Sequence, residues 1–324
     1  MHISRLLHKT FEQSATYLDK RNHRTLIEAS STLCKNKHLS ISELGRGLNS
    51  PALVKHNIKR IDRLFGNRDV QKKRIHYYRT VSEIAIAHNK QPIIAIDWSG
   101  LTPCGEFHLL RAACPAKGRT VTLFEQSFKE NEYMKQSTHK QFLKSLMAVL
   151  PVGCKPILVT DAGFRNPWFK LVLSVGWHFV GRLRHQTQYQ VPTTENWNPI
   201  KQLYSLATSR PKYLFDTKLA KANSLKGSFH LFKGKPKNRK NKNLKGKNIC
   251  SSVSLKHSKG ASEPWLIFTL LSPNSHSAKH IIKIDQQRMQ IEEAFRDLKN
   301  TKNGLNFRHC RSYTKGRLNV ALLD

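Results

Sequence analysis

Two short apolar runs each stop on an aspartate, and no other feature of this 324-residue chain restricts its fold as much. Ile93-Ile94-Ala95-Ile96 leads into Asp97, and Pro156-Ile157-Leu158-Val159-Thr160 leads into Asp161. Continuous apolar runs this short read as strands buried on both faces. Phe107 to Ala113 and Thr120 to Phe128 are further strand-like runs. The pieces around them are short and carry Gly105, Pro115 and Gly118, so an antiparallel meander is expected. Thr138 to Leu150 has helical spacing through Phe142, Leu146, Val149 and Leu150. Pro167 to Val175 reads as a helix and Trp177 to Leu183 as a strand. The order is three strands, helix, strand, helix, strand. It predicts an α/β fold with a mixed sheet flanked by helices, its first and fourth strands buried and parallel.

Functional groups gather at the carboxyl ends of strands in such sheets, which draws attention to Asp97 and Asp161. A strand-ending Asp is also an ordinary turn residue. A third carboxylate stands in Arg288 to Lys299. There Ile291, Ala294, Phe295 and Leu298 form one apolar stripe, and Arg288, Glu292 and Lys299 fall in one row within roughly 40° along its edge. The row can be a surface ion pair worth a few tenths of a kcal/mol. It can equally present a carboxylate between two cations beside a phosphate. Three carboxylates bind hard divalent cations through oxygen, and a pair of Mg²⁺ ions clamps the attacking and leaving oxygens of a phosphoryl transfer.

The charge favours the second option. Fifty-six Lys and Arg against 21 Asp and Glu leave +35, an excess that calls for a polyanion, and nucleic acid comes first. No apolar run is long enough for a membrane span, and the start is too polar for a secretory leader. A soluble cytoplasmic protein is expected. Cys34, Cys104, Cys114, Cys154, Cys250 and Cys310 are widely spaced, which argues against a zinc ribbon or disulfide framework.

Residues 1–85 read as helical. Ser40, with Glu43 three residues on, resembles a capping start, and Asn49-Ser50-Pro51 interrupts before a basic helix from Ala52 to Leu64. A helix-turn-helix contact with DNA through Lys59 and Arg60 is compatible with this pattern. Lys226 to Lys247 holds nine Lys or Arg and no acid, which suits a loop or hairpin edge facing polyanion, with Lys235, Lys237 and Arg239 as contacts. A solvated insert would have the same composition. Trp265 to Leu271 returns to a buried-strand pattern, and Lys279 to Lys299 reads as one long helix.

Ile96-Asp97-Trp98-Ser99, Val159 to Phe164, Phe179 to Arg184, and Arg288-x3-Glu292-x6-Lys299 together resemble the bacterial cut-and-paste DDE transposases of the insertion sequence 4 type. That group includes the enzymes of the tetracycline- and kanamycin-resistance composite transposons. The resemblance covers essentially the whole chain. It implies an RNase H-like catalytic core in residues 86–185 and 276–324, an N-terminal helical DNA-binding domain in 1–85, and a β-rich basic insertion in 186–275 before the last catalytic helix. It implies Asp97, Asp161 and Glu292 as catalytic ligands of two Mg²⁺ ions, with Mn²⁺ able to substitute. Arg288 and Lys299 would contact DNA phosphate, and Trp265 would stack on a base flipped out during hairpin formation. The implied reaction is hydrolysis at a transposon end, hairpin formation and opening, and strand transfer. The implied partners are terminal inverted repeats, target DNA and a second protomer. Two departures stand out. The Tyr of the family's signature is replaced by Asp285, on nearly the same helical row as Glu292, where a carboxylate would repel phosphate. The chain also ends inside an apolar segment at Asp324, so a truncated copy, acting as a DNA-binding remnant without catalysis, is the alternative expectation.

Overall fold

The computed structural model describes residues 3–35, 38–102, 104–184, 187–234, 263–300, 307 and 314–323. The chain folds as two compact units, Met1–Pro156 with Arg288–Asp324, and Ile157–Gln287. The first unit begins with six helices: α1 (Ile3–Thr10), α2 (Glu12–Ala15), α3 (Lys20–Leu33), α4 (Ile41–Gly47), α5 (Val54–Gly66) and α6 (Arg68–Ile86). Their starts are written in short polar side chains. Asp19 accepts from the backbone N–H of Arg21 and Asn22 and opens α3. Ser40 Oγ accepts from Glu43 N at 3.2 Å, as its spacing predicts, and Asn67 Oδ1 caps α6. Such caps contribute about 1 kcal/mol each.

Three antiparallel strands follow, β1 (Ile93–Gly100), β2 (Phe107–Pro115) and β3 (Thr120–Lys129), which form the expected meander. Their register aligns Asp97, Arg111 and Glu125 across the sheet. Helix α7 (Gln136–Val149) packs on α6 and β3 through Phe142, Leu143, Leu146 and Val149, all buried. Burying each such side chain contributes roughly 1.5–3 kcal/mol.

The second unit opens with β4 (Ile157–Thr160), α8 (Asn166–Ser174) and β5 (His178–Leu183), with β4 and β5 parallel. Parallel neighbours need a crossover, and α8 supplies it. Gly181 lets Phe169 of α8 lie against the strand, since a Cβ there would come within 2.3 Å of the ring. Next come β6 (Gln188–Gln190), β7 (Asn198–Pro199), β8 (Lys212–Leu219), β9 (Leu225–Phe232), β10 (Trp265–Thr269) and helix α9 (Ala278–Gln287). The strand order in this unit is β4-β5-β10-β9-β8-β6-β7, and every pairing after β5 is antiparallel. Phe169, Phe179, Phe229 and Phe268 fill its core. The fold is α/β with mixed strand pairing flanked by helices, consistent with the RNase H-like transposase class.

The single helix expected over Lys279 to Lys299 is two. Helix α9 ends at Gln287, and α10 (Met289–Lys299) starts after Arg288. Arg288 keeps helical angles (φ −54, ψ −35), but its carbonyl accepts from Ile291 N at 3.0 Å in a tighter turn. Within the first unit, α10 packs on β1, β2 and β3, and α11 (Lys315–Ala321) on α5, α6 and β3. Ile291, Phe295 and Leu298 of α10 join Leu44, Phe65 and Leu109 in one apolar core. The stripe read from the sequence is the buried face of this helix.

Candidate active site

Asp97 stands in the middle of β1, where the strand ladder fixes its backbone on both sides of the residue. Its Oδ1 accepts from Trp98 N at 2.8 Å, and its Oδ2 lies 3.4 Å from Arg288 Nη1. The same guanidinium nitrogen donates to Glu292 Oε1 at 3.2 Å. One cationic nitrogen therefore stands between two carboxylates. The Arg288 side chain is 5% exposed, Asp97 15% and Glu292 40%, so the pair runs from a deep acid to one open to solvent. Two carboxylates facing one point repel unless a cation lies between them, and at this separation each charge–charge term is several kcal/mol before desolvation.

Lys299, at the other end of α10, donates to Ser99 Oγ at 2.6 Å. Eleven helical residues span about 16 Å, whereas Asp97 and Ser99 are about 7 Å apart along a strand. The long arms of Arg288 and Lys299 thus converge on one stretch of β1. Beside them Arg111, across from Asp97, is held by Glu125 through Nε and Nη2, both at 2.6 Å, and lies 4.9 Å over the Phe295 ring. Sequence reasoning assigned no role to Ser99 or to the Arg111–Glu125 pair. The available signal was a charged residue in the middle of each otherwise apolar strand.

The donor type is that of a hard divalent cation, but among the described residues no group of three His, Cys, Asp or Glu side chains stands close enough to hold a metal ion. Asp97 and Glu292 offer only oxygen and already converge on a positive charge. Asp161 belongs to the second unit, where it follows β4, is half-buried, and its Oδ1 accepts from Gly163 N at 2.9 Å. The first unit brings together Asp97, Glu292, Arg288 and Lys299.

Other residues singled out in the sequence sit as follows. Trp265 opens β10 and is half-buried, with the Arg182 guanidinium 4.1 Å over its ring and Phe232 edge-on at 5.5 Å. Asp285 corrects the expectation of a carboxylate turned toward phosphate. It is fully buried, and its Oδ2 accepts from Arg182 Nη2. Its charge is matched within its own unit. Lys59 is exposed on α5. Arg60 is not a free cation: it donates to Thr25 Oγ1 at 2.8 Å and pairs with Glu28 at 3.0 Å. Lys235, Lys237 and Arg239 lie outside the described residues.

On the far side of β1 from Asp97, Trp98 Nε1 donates to His139 Nε2 at 3.2 Å. Burial pushes the His139 imidazole down to about 4, so it is neutral at physiological pH.

The chain belongs to the transposase DDE domain family, whose sequence profile matches residues 88–323. None of the curated proteins searched matches it. Membership makes this chain a DNA transposase, with DNA as partner and strand cutting and joining as its class of reaction. Enzymes of this family generally use divalent metal ions. Among the described residues no helix is long and apolar enough to cross a membrane. Helices α1 to α6 precede the matched region.

Proposed function

We propose that the chain is a cut-and-paste transposase of the insertion sequence 4 type, in which Asp97, Asp161 and Glu292 hold two Mg²⁺ ions, replaceable by Mn²⁺. The observation that carries this reading is the convergence of Asp97 and Glu292, 191 residues of separation from Arg288 on one side and four on the other, on a single Arg288 nitrogen. The bound ions would polarise the scissile phosphate and activate the attacking oxygen. Asp97 and Glu292 would hold them from two elements, a strand fixed by its ladder and a helix fixed by its apolar face. Arg288 and Lys299 take phosphate oxygens next to the cut and orient the strand for in-line attack. Water first breaks a phosphodiester at the transposon end and leaves a 3′-hydroxyl. That hydroxyl attacks the opposite strand to give a hairpin, which a second water opens before strand transfer.

Trp265 is proposed to stack on the base extruded at the hairpin. Arg182 already covers the ring at 4.1 Å, so the base takes another part of the ring surface or the place of the guanidinium. The enzyme acts on paired terminal repeats as a homodimer in the bacterial cytoplasm, with residues 1–85 contacting DNA. The remnant alternative loses one of its two motives, because Asp285 is spent on Arg182 and not aimed at phosphate.

The test uses duplex DNA from the two flanks of the reading frame, incubated with the full chain and Mg²⁺ and separated on denaturing gels. Cut-and-paste chemistry predicts a nicked strand first, then a hairpin running at twice the strand length, then a blunt end. Nicking without a hairpin at any time contradicts the proposed pathway.

A further inference from the structure

We propose that α5 reads DNA by a division of labour: Lys55, Lys59 and Arg63 take backbone phosphates, and Leu53 and Val54 take thymine methyl groups in the major groove. This rests on DNA being the partner, and it deepens the proposed role of residues 1–85.

The surface is built to be rigid. A Cβ on Gly45 of α4 would meet Ile58 Cα of α5 at 2.6 Å, so the two helices touch backbone to backbone. Asn57, Ile61, Leu64 and Phe65 bury one face of α5. Lys55, Lys59 and Arg63, four residues apart, form a row on the opposite face. All three are exposed, and none has an ion pair or side-chain hydrogen bond among the described residues. The neighbours behave differently. Arg60 is tied to Glu28 and Thr25, and the charge of Asp62 is cancelled by Arg317 at 2.5 Å. The cations that remain available are those on the outward row, and they complement a phosphate backbone.

Leu53 and Val54 begin the helix and are 64% and 51% exposed. Two adjacent large aliphatics stand largely in water beside a basic row, and neither belongs to the apolar core formed among the described residues. A helix entering the major groove contacts base edges with the residues at its start, and the only apolar group there is the thymine C5 methyl. The basic row next to them selects duplex DNA over an apolar protein groove.

The experiment selects binding sites for the full chain from a randomised duplex pool, then measures affinity against salt for wild type, Lys59→Ala and the double variant Leu53→Ala/Val54→Ala. Wild type should enrich a motif containing thymine, and replacing that thymine by deoxyuridine should weaken binding about three- to fivefold, as loss of one buried methyl implies. The double variant should no longer distinguish thymine from uracil, with an unchanged salt slope. Lys59→Ala should bind all sequences more weakly and lower the slope by about 1. Failure to enrich a motif, equal uracil sensitivity in the double variant, or an unchanged slope for Lys59→Ala overturns the proposal. So does a double variant whose only loss is binding to anionic phospholipid vesicles. Loss of strand cutting with this pattern intact would count against the catalytic reading alone.

Discussion

Arg288 balances two acids with one nitrogen, so its removal has a cost that substrate does not set. Arg288→Gln leaves Asp97 and Glu292 facing each other without their cation. Breaking such a partly buried network is expected to cost about 3 kcal/mol, measured by urea denaturation in EDTA. An unchanged midpoint would mean that the bridge contributes nothing. Asp285 makes a second case. A Tyr in its place restores the resemblance signature but removes the carboxylate that pairs with the buried Arg182 guanidinium. Asp285→Tyr should therefore destabilise the fold by about 3–5 kcal/mol, and a variant as stable as wild type would show that Arg182 finds another partner. The Arg288–Asp97 and Arg182–Asp285 pairings could not be seen in the sequence. Asp285 and Arg182 are 103 residues apart, and helical row arithmetic follows one helix without knowing what packs on it. The row Arg288, Glu292, Lys299 was legible because its members share a helix and its rim.

Among elements, those with long apolar runs announced themselves and the short strands β6 and β7 did not. Ile94–Ile96 of β1 and Ile157–Thr160 of β4 read as continuous runs because each of those residues is buried. Helix α10 showed its stripe because its core side is the sheet. Strands β6 to β8 are short or partly exposed, and their pairing is decided by partners up to 30 residues away in Tyr189 and Leu219 rather than by local pattern. The break at Arg288 was invisible because the residue keeps helical angles and only its hydrogen bond tightens. The α4–α5 contact gives a prediction at this scale. Gly45→Ala places a methyl 2.6 Å from Ile58 Cα, so the helices must separate. The expected loss is about 1–3 kcal/mol of stability, together with weaker DNA binding, read by thermal melting and by titration with duplex. A variant that binds and melts like wild type would mean that the pair is not held at backbone contact.

For the molecule as a whole, the net charge of +35 makes stability depend on medium and partner. Polyanion should raise the melting temperature, and the gain should shrink as salt is added. Acid acts through buried imidazoles. His139 and His230 are each lowered from 6.5 to about 4 by burial. Between those values the unfolded chain binds protons that the folded chain refuses, so stability falls as pH drops through this window. The loss is on the order of 3 kcal/mol at most for each group, and urea midpoints at pH 7 and pH 5 measure it. A flat profile would mean that both imidazoles can be protonated in place. The central claim is that Asp97, Asp161 and Glu292 carry the chemistry. Single-turnover cutting of duplex from the flanks of the reading frame, in Mg²⁺, tests it with Asp97→Asn, Asp161→Asn and Glu292→Gln beside wild type. Each variant should retain DNA affinity within about threefold and lose cutting by at least about 10³-fold, the scale set by charge stabilisation at a phosphoryl-transfer centre. Cutting at the wild-type rate in any of the three would contradict the assignment.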